Sequence, residues 1–159
     1  MEKTNVMRVL ESKKVKYIPH DYPETGCTVG SEIAKLLGQN PDQVFKTLVT
    51  VGKTGRNNVF VVPVCAELDL KKAAKAVGEK SIDMIKQKEL LPLTGYVHGG
   101  CSPIGMKKFF PTVFNETMKN YDTIFFSAGK IGYQVEVSVA DVSKLIRYET
   151  ADIISSLEV

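Results

Sequence analysis

The amino-acid sequence predicts a mixed α/β fold, of the α+β kind, in which helices pack around a mixed β-sheet. Three observations carry this prediction: apolar runs typical of strands, amphipathic segments with helical spacing, and an irregular order of the two without a strict βαβ rhythm. The chain has 159 residues, which one domain accommodates. We therefore expect a single domain over residues 1–159.

The N-terminal part of the chain predicts two helices, a short strand and a helical turn. Val6, Val9 and Leu10 share one face of a helix that begins after a cap at Thr4 or Asn5. Tyr17–Tyr22 predicts a strand that Pro19 interrupts, and Thr28–Leu37 predicts a helix that stops at Gly38. A single helical turn is expected to start at Asn40-Pro41.

The middle of the chain predicts a β-hairpin. The run Val44–Val51 is almost wholly apolar and is typical of a strand covered on both faces. The connector Gly52–Asn58 is rich in turn residues, and Val59–Val62 follows as the second strand. Pro63 marks the end of that strand, because proline has no N–H to donate to a ladder.

The rest of the chain predicts three helices and two strands. Apolar spacing predicts the helices at Leu70–Val77, which Gly78 ends, at Asp83–Leu90, and around Val142, Leu145 and Ile146. One strand is expected at Thr123–Phe126 and a second at Tyr133–Val139. In the second strand apolar and polar residues alternate, which predicts that one side is exposed.

Charge and hydropathy limit the classes of function. The net charge of +3 is too small to indicate a polyanionic partner by itself, although clustered lysines act locally. The sequence has no apolar run of about eighteen residues, and Met1–Thr4 leads into no signal-peptide core. We therefore expect a cytoplasmic protein without membrane association.

The cysteines predict reduced thiols. Cys27, Cys65 and Cys101 are an odd number, are widely spaced and form no C-x-x-C pair. Among the cysteines and histidines, only His98 and Cys101 lie close together in the sequence, and two ligands are too few for a zinc site. We expect neither a metal nor another cofactor.

A glycine-rich loop, Gly95–Gly105, is the most informative segment of the chain. It holds four glycines, a serine and a proline, and it precedes the basic pair Lys107-Lys108. Because glycine leaves the main chain uncovered, such a loop is either a tight structural bend or a cradle whose N–H groups bind a ligand. The residues alone leave both interpretations open.

Lys46 stands near the start of the apolar strand and shares a face with Val44 and Leu48. Burial of an ammonium is unfavourable unless the group has a partner or its pKa falls. The alternative is that the side chain extends from the strand end into water.

Four segments in register resemble the YbaK family of aminoacyl-tRNA deacylases, which is related to the editing domain of bacterial prolyl-tRNA synthetases. These segments, which span nearly the whole chain, are Asn40–Leu48, Leu68–Lys72, Thr94–Lys108 and Phe126–Gly132. The resemblance implies a small, barrel-like mixed sheet flanked by helices. It also implies that the substrate is the 3′ end of an aminoacyl-tRNA, which Lys46 anchors.

The expected site combines this resemblance with the demands of ester cleavage, in which negative charge develops on the carbonyl oxygen. The predicted catalytic residues are Lys46, with Gly99 and Gly100 as backbone N–H donors. The predicted substrate-binding residues are Tyr22, Val29, Pro103, Gly105, Ser127 and Gly129. Val29 departs from the family, whose members carry a larger aromatic residue at that position. The structural alternatives are core packing for Tyr22 and turn capping for Ser127.

The sequence offers no obvious protein nucleophile. A G-x-S-x-G motif is missing, and His20 and His98 do not complete a Ser-His-Asp set. In the cysteine-specific branch of the family, the substrate's own thiol attacks the ester carbonyl and releases a cyclic thiolactone. A competing interpretation makes Cys101 the nucleophile with His98 as its base.

We therefore expect a trans-editing deacylase that removes cysteine from Cys-tRNA(Pro), with prolyl-tRNA synthetase as a partner. One alternative is a deacylase for another amino acid, such as alanine on tRNA(Pro). The other is a non-catalytic module that holds nucleotides or tRNA ends. Candidate contacts to phosphates are Lys71, Lys72, Lys75, Lys107, Lys108 and Lys130.

Overall fold

The computed structural model describes residues 2–22 and 30–155. The helices are α1 (Asn5–Ser12), α2 (Gly30–Leu36), α3 (Leu70–Val77), α4 (Gln87–Thr94) and α5 (Val139–Leu145). The strands are β1 (Tyr17–Asp21), β2 (Phe45–Gly52), β3 (Asn57–Pro63), β4 (Ile82–Met84), β5 (Thr112–Asn115), β6 (Thr123–Ser127), β7 (Tyr133–Ser138) and β8 (Glu149–Ala151). Short 3₁₀ turns occupy Pro41–Gln43 and Glu116–Asn120.

The strands form two sheets. The larger has the order β4-β2-β3-β5-β8, with antiparallel pairing of β2 to β3 and parallel pairing of β5 to β3 and β8. The smaller has the antiparallel order β1-β7-β6. This arrangement confirms the predicted mixed sheet with helices.

The barrel-like closure implied by the resemblance is wrong for the described residues. A barrel needs continuous pairing around its circumference. Strand β4 pairs with β2 only from Thr50 to Gly52, and β6 reaches the other end of β2 through one isolated bridge, Val44 to Phe125. The first residues of β2 therefore keep an edge without a neighbouring strand.

Local signals place most of the elements where the sequence predicts them. The Thr4 hydroxyl accepts a hydrogen bond from the Met7 N–H at 3.3 Å and so caps α1. The Asn40 side chain accepts from the Asp42 N–H at 3.1 Å and starts the 3₁₀ turn. Gly78 ends α3 in the left-handed conformation, with φ of 73°.

The structure differs from the predictions in the segment Asp83–Leu90 and in strands β5 and β8. The segment Asp83–Leu90 is not one helix: β4 occupies its start and α4 begins only at Gln87. The buried edge of β2 offers Ile82–Met84 backbone partners, which outweigh a weak helical pattern. Strands β5 and β8 had no clear sequence signal, since each is short. The predicted start of α2, at Thr28, lies outside the described residues.

In the described part of the chain, the two larger parts of the core lie on opposite faces of the larger sheet, and a small third cluster joins Ala34, Val44 and Phe125. The main cluster lies between the two sheets and under α1, where Leu10, Phe114 and Phe126 are fully buried. A second cluster joins the opposite face of the larger sheet to α3 through Phe60 and Ala73. This packing leaves the uncovered edge of β2 facing a cavity.

Candidate active site

A cavity of about 170 Å³ lies beside the uncovered edge of β2, where the two sheets meet. Its walls come from β2, β6, β7, α2, α4 and the glycine-rich loop. The lining residues are Tyr22, Ile33, Val44, Phe45, Lys46, Thr47, Leu48, Val64, Leu90, His98, Gly99, Cys101, Phe126, Ser127, Tyr133 and Gln134. Most of this surface is apolar, so the few polar groups in it are candidates to orient a ligand.

Lys46 is half-buried in this cavity, and burial lowers the pKa of its ammonium below the ordinary lysine value. The negative charge of Glu67 and the Cys65 sulfur oppose that shift without cancelling it. Among the described residues Lys46 forms no salt bridge within 4.0 Å. Lys46 therefore lines the cavity without an ion-pair partner in the described part of the chain, and its contact with a substrate oxygen or phosphate stays a prediction.

Thr47, next to Lys46, was missed by sequence reasoning. Its Oγ1 atom is the one buried side-chain oxygen or nitrogen in the described part of the chain that lacks a hydrogen-bond partner. An unpaired buried hydroxyl is destabilising, and such groups often mark functional positions. A threonine in an apolar strand has no distinctive sequence signal.

Gln134 is a second polar residue that the sequence did not indicate. It is only 4% exposed, and it exchanges two amide hydrogen bonds with Gln39 at 2.7 and 3.1 Å. Gln39 follows α2, whose Ile33 lines the cavity. The amide pair therefore ties the α2 wall of the cavity to β7. The alternating pattern of β7 had predicted a solvent-facing glutamine.

Two predicted substrate-binding residues, Tyr22 and Ser127, line the cavity. Ser127 also caps a turn, since its hydroxyl accepts a hydrogen bond from the Gly129 N–H at 3.1 Å. The hydroxyl can still donate its proton toward the cavity. Val29, a third predicted contact, lies outside the described residues.

The glycine-rich loop is a cradle at Gly99 and a structural bend elsewhere. Gly99 lines the cavity with φ of 87°. The Gly100 N–H, predicted as a second donor to the substrate, instead donates to the Val97 carbonyl at 3.0 Å. A Cβ at Gly100 would also lie 3.1 Å from the Ile131 nitrogen. Gly100 therefore shapes the turn, and its N–H is already engaged.

The remaining predicted positions lie away from the cavity. Gly105 and Gly129 pack against the Tyr96 ring, where an added Cβ would come within 2.8 and 2.9 Å of Tyr96 atoms. Pro103 and Gly105 line a separate groove. Their predicted contact with the aminoacyl group stays a prediction, and the cavity does not supply it.

Cys101 lines the cavity with His98, but its chemistry does not suit a nucleophile. Burial raises the pKa of the Cys101 thiol to about 12, so the group is protonated at neutral pH. The reactive form of cysteine is the thiolate, and a catalytic cysteine has a lowered pKa. The burial and the raised pKa of Cys101 therefore argue against this residue as the catalytic nucleophile.

Two further findings concern the described residues only. No group of three or more His, Cys, Asp or Glu side chains among them is arranged to hold a metal ion. None of their helices has the length and apolar character needed to span a membrane.

Comparison with known proteins places this cavity in a family. Residues 24–145 match the model of the aminoacyl-tRNA editing domain. The chain is 44% identical over 153 residues to a protein of Enterococcus faecalis (strain ATCC 700802 / V583), provisionally named the Cys-tRNA(Pro)/Cys-tRNA(Cys) deacylase EbsC. That match covers 96% of this chain and 93% of the relative.

Two further similarities link the chain to prolyl-tRNA synthetase. It is 28% identical over 102 residues to the proline–tRNA ligase of Shouchella clausii (strain KSM-K16), covering 64% of this chain and 18% of the ligase. A crystal structure provisionally described as a trans-editing enzyme for prolyl tRNA synthetase superposes with a TM-score of 0.82 at 25% identity, covering 95% of each chain. The chain shares its fold with these proteins, and its sequence motifs indicated the same family. It belongs to the aminoacyl-tRNA editing domain family.

Proposed function

We propose that this aminoacyl-tRNA deacylase removes cysteine from Cys-tRNA(Pro), acting in trans together with prolyl-tRNA synthetase. One observation carries the proposal: in the described part of the chain, Lys46 is a half-buried cation without an ion-pair partner, and it lies in a small apolar cavity where the Cys101 thiol is protonated. The site can therefore bind and orient an ester, whereas its own sulfur is a poor nucleophile.

The size of the cavity favours a small aminoacyl group. Its volume of about 170 Å³ is below the roughly 300–1,000 Å³ typical of small-molecule sites. A cysteine or alanine ester fits such a volume, and the rest of the tRNA must stay outside. The name of the relative that is 44% identical favours cysteine.

The reaction follows from orientation. The sulfur of the substrate cysteine attacks the carbonyl carbon of its own ester, a carbon–sulfur bond forms, and the carbon–oxygen bond to the terminal ribose breaks. The ribose oxygen leaves with a proton, and the amino acid departs as a cyclic thiolactone. Lys46 stabilises negative charge on the carbonyl oxygen or on the adjoining phosphate, and the Gly99 main chain approaches from the other wall.

The wider setting of this activity is also part of the proposal. Residues 1–159 act as a single editing domain in the cytoplasm, and prolyl-tRNA synthetase supplies the selection of tRNA. The similarity to a proline–tRNA ligase and the modest net charge of +3 support this division of labour. A weakly charged protein gains tRNA affinity from a partner more readily than from its own surface.

Deacylation assays on three purified substrates test the proposal. Cys-tRNA(Pro), Ala-tRNA(Pro) and Pro-tRNA(Pro) are incubated with the protein, with and without prolyl-tRNA synthetase, and ester loss is measured against the uncatalysed rate. We expect rapid loss of cysteine alone. Blocking the cysteine thiol by alkylation must then abolish turnover, because the attacking atom is removed.

The other outcomes separate the alternatives. Preferred loss of alanine would keep the deacylase and refute the thiol-assisted route, since alanine has no sulfur. Turnover of none of the three substrates, with tRNA binding retained, would indicate the non-catalytic module.

A further inference from the structure

We propose that a basic groove beside the cavity binds the acceptor arm of the tRNA whose aminoacyl end enters the cavity. The basic groove is defined by Arg56, Lys107, Lys108, Phe109 and Arg147. The inference rests on the proposed function in one respect, which is that the substrate is a tRNA. It adds the location and the chemistry of a contact outside the cavity.

The glycine-rich loop connects the cavity to the basic groove. Gly99 lines the cavity, whereas Gly105 and Lys108 line the next depression along the loop, together with Phe109. Lys107 packs against the start of this loop, with its Cγ 3.3 Å from the position that a Cβ on Gly95 would occupy. The loop that lines the cavity at Gly99 therefore leads along the chain to Lys107 and Lys108.

Phe109 gives the groove a stacking surface. Its side chain is 62% exposed, the highest value among the large hydrophobic residues in the described part of the chain. An exposed aromatic ring between cationic side chains is the usual platform for an unpaired nucleobase. The bases at the end of an acceptor arm are unpaired and can reach such a ring.

The two arginines extend the cationic surface. Arg56 and Arg147 line, with Phe109, a groove of about 420 Å³. In residues 2–22 and 30–155, neither arginine forms a salt bridge within 4.0 Å, nor does Lys107 or Lys108. Guanidinium groups bind phosphates through two parallel hydrogen bonds.

Two carboxylates share this groove and limit where an anion can bind. Glu79 accepts a hydrogen bond of 2.6 Å from the Thr54 hydroxyl at the hairpin end, and Glu149 is exposed on β8. Within the groove of about 420 Å³, Arg56 and Arg147 balance these two carboxylates, and the additional positive charge comes from Lys108, next to Phe109 in the adjoining depression. We therefore place the phosphates near the Phe109 side.

The dimensions suit a tRNA arm. The Gly52 N–H donates to the Arg56 carbonyl at 2.8 Å, so the two residues are neighbours at the hairpin. Six steps along β2 separate Lys46 from Gly52, which is about 20 Å at 3.3 Å per residue. An RNA duplex carries phosphates at comparable density to DNA, so about twelve charges fall within that length. An arm that is anchored at Lys46 and runs along β2 therefore reaches Arg56.

Three variants and two ligands test the groove. The variants are Arg56→Gln/Arg147→Gln, Phe109→Ala and, as a matched loss of two exposed cations elsewhere, Lys13→Gln/Lys16→Gln. Filter binding of uncharged tRNA(Pro) is measured from 50 to 200 mM salt. Ester cleavage is measured on Cys-tRNA(Pro) and on the cysteinyl ester of adenosine, which has no arm.

We expect the double arginine variant to lose about 10- to 60-fold in tRNA affinity near 0.1 M salt, with the salt slope reduced by up to about 1.8. Phe109→Ala is expected to lose about tenfold with little change in slope. Cleavage of cysteinyl-adenosine must stay at the wild-type rate in both, and the lysine control must bind tRNA as the wild type does.

Several results would overturn the groove. Affinity and slope equal to those of the lysine control would exclude it as an RNA contact. Equal loss on cysteinyl-adenosine would show that the substitutions act on the cavity. Intact tRNA binding with loss only of stimulation by prolyl-tRNA synthetase would make the groove a protein interface. If the wild-type protein cleaves no ester while the double arginine variant binds tRNA more weakly than the wild type does, the proposed function is refuted and the groove stays supported.

Discussion

Replacement of Thr47 by valine is expected to stabilise the protein. The Thr47 hydroxyl is buried without a hydrogen-bond partner among the described residues, and valine has nearly the same shape with a methyl group in place of that hydroxyl. An unsatisfied buried polar group costs about 1–3 kcal/mol of stability. We therefore expect the free energy of unfolding of Thr47→Val to rise by about 1 kcal/mol, taking the lower bound because Thr47 is only half-buried.

Thr50 offers a matched control on the same strand. Its hydroxyl is also buried, but it donates to the Asn58 carbonyl at 2.8 Å. The change Thr50→Val removes that bond, which contributes about 1 kcal/mol. Because both changes exchange one β-branched residue for another, the strand propensities nearly cancel, and the two variants should shift stability in opposite directions.

Urea and thermal unfolding at pH 7, followed by circular dichroism, measure both variants against the wild type. One kcal/mol corresponds to about 2–4 °C in Tm for a chain of this length. The two midpoints should therefore differ by about 4–8 °C. A Thr47→Val protein that is destabilised as much as Thr50→Val would refute the reasoning, because it would show that the Thr47 hydroxyl has a partner.

The remaining predictions concern the Lys46 cation, the turn between β6 and β7, and the buried Cys101 thiol. Lys46→Ala is expected to lower kcat/KM for the preferred aminoacyl-tRNA by about 100-fold or more while its circular dichroism stays unchanged, and a folded variant with full turnover would remove Lys46 from the mechanism. Burial lowers the pKa of Lys46 in the folded state, so Lys46→Met should be more stable than the wild type at pH 7. As the pH rises toward the ordinary lysine pKa, the folded wild type loses this proton before the unfolded chain does, and the wild type gains stability. The difference in unfolding free energy between the two proteins should therefore shrink. Gly129→Ala should cost clearly more stability than Gly78→Ala, since both have positive φ but only the first places a Cβ 2.9 Å from neighbouring side chains; equal midpoints in urea would contradict this. Cys101→Ala should retain turnover, and iodoacetamide at pH 8 should label exposed Cys65 well before Cys101, whose thiol pKa is about 12; fast labelling of Cys101 would revive the cysteine-nucleophile mechanism.

Much of the fold could be predicted because its signals are short-range. The Thr4 cap, the Asn40 turn and the Gly78 stop act within a few residues of themselves, so the sequence displays both partners. The hairpin of β2 and β3 has its turn residues between its strands. Strand β4 was not predicted, because its partner, the edge of β2, lies about thirty residues away along the chain.

The site shows the same division. Lys46 stands out in the sequence, since a cation within an apolar strand conflicts with its neighbours. Gln134 and Thr47 do not stand out, because their importance depends on the Gln39 amide and on a missing hydrogen-bond partner. Tertiary packing also divided the glycine-rich loop, placing Gly99 in the cavity and Gly105 against Tyr96.

The sequence by itself determined the family, the class of fold, the order of most elements and the lysine at the centre of the site. Those features reside in periodicity, caps and motifs, which short stretches of chain contain in full. Only the tertiary structure decided that the strands form two sheets, which polar groups share the cavity, and that the loop runs on from the cavity to the Phe109 groove. The physical reason is that burial, hydrogen-bond satisfaction and cavity shape depend on residues that are distant in sequence and meet only in the folded chain.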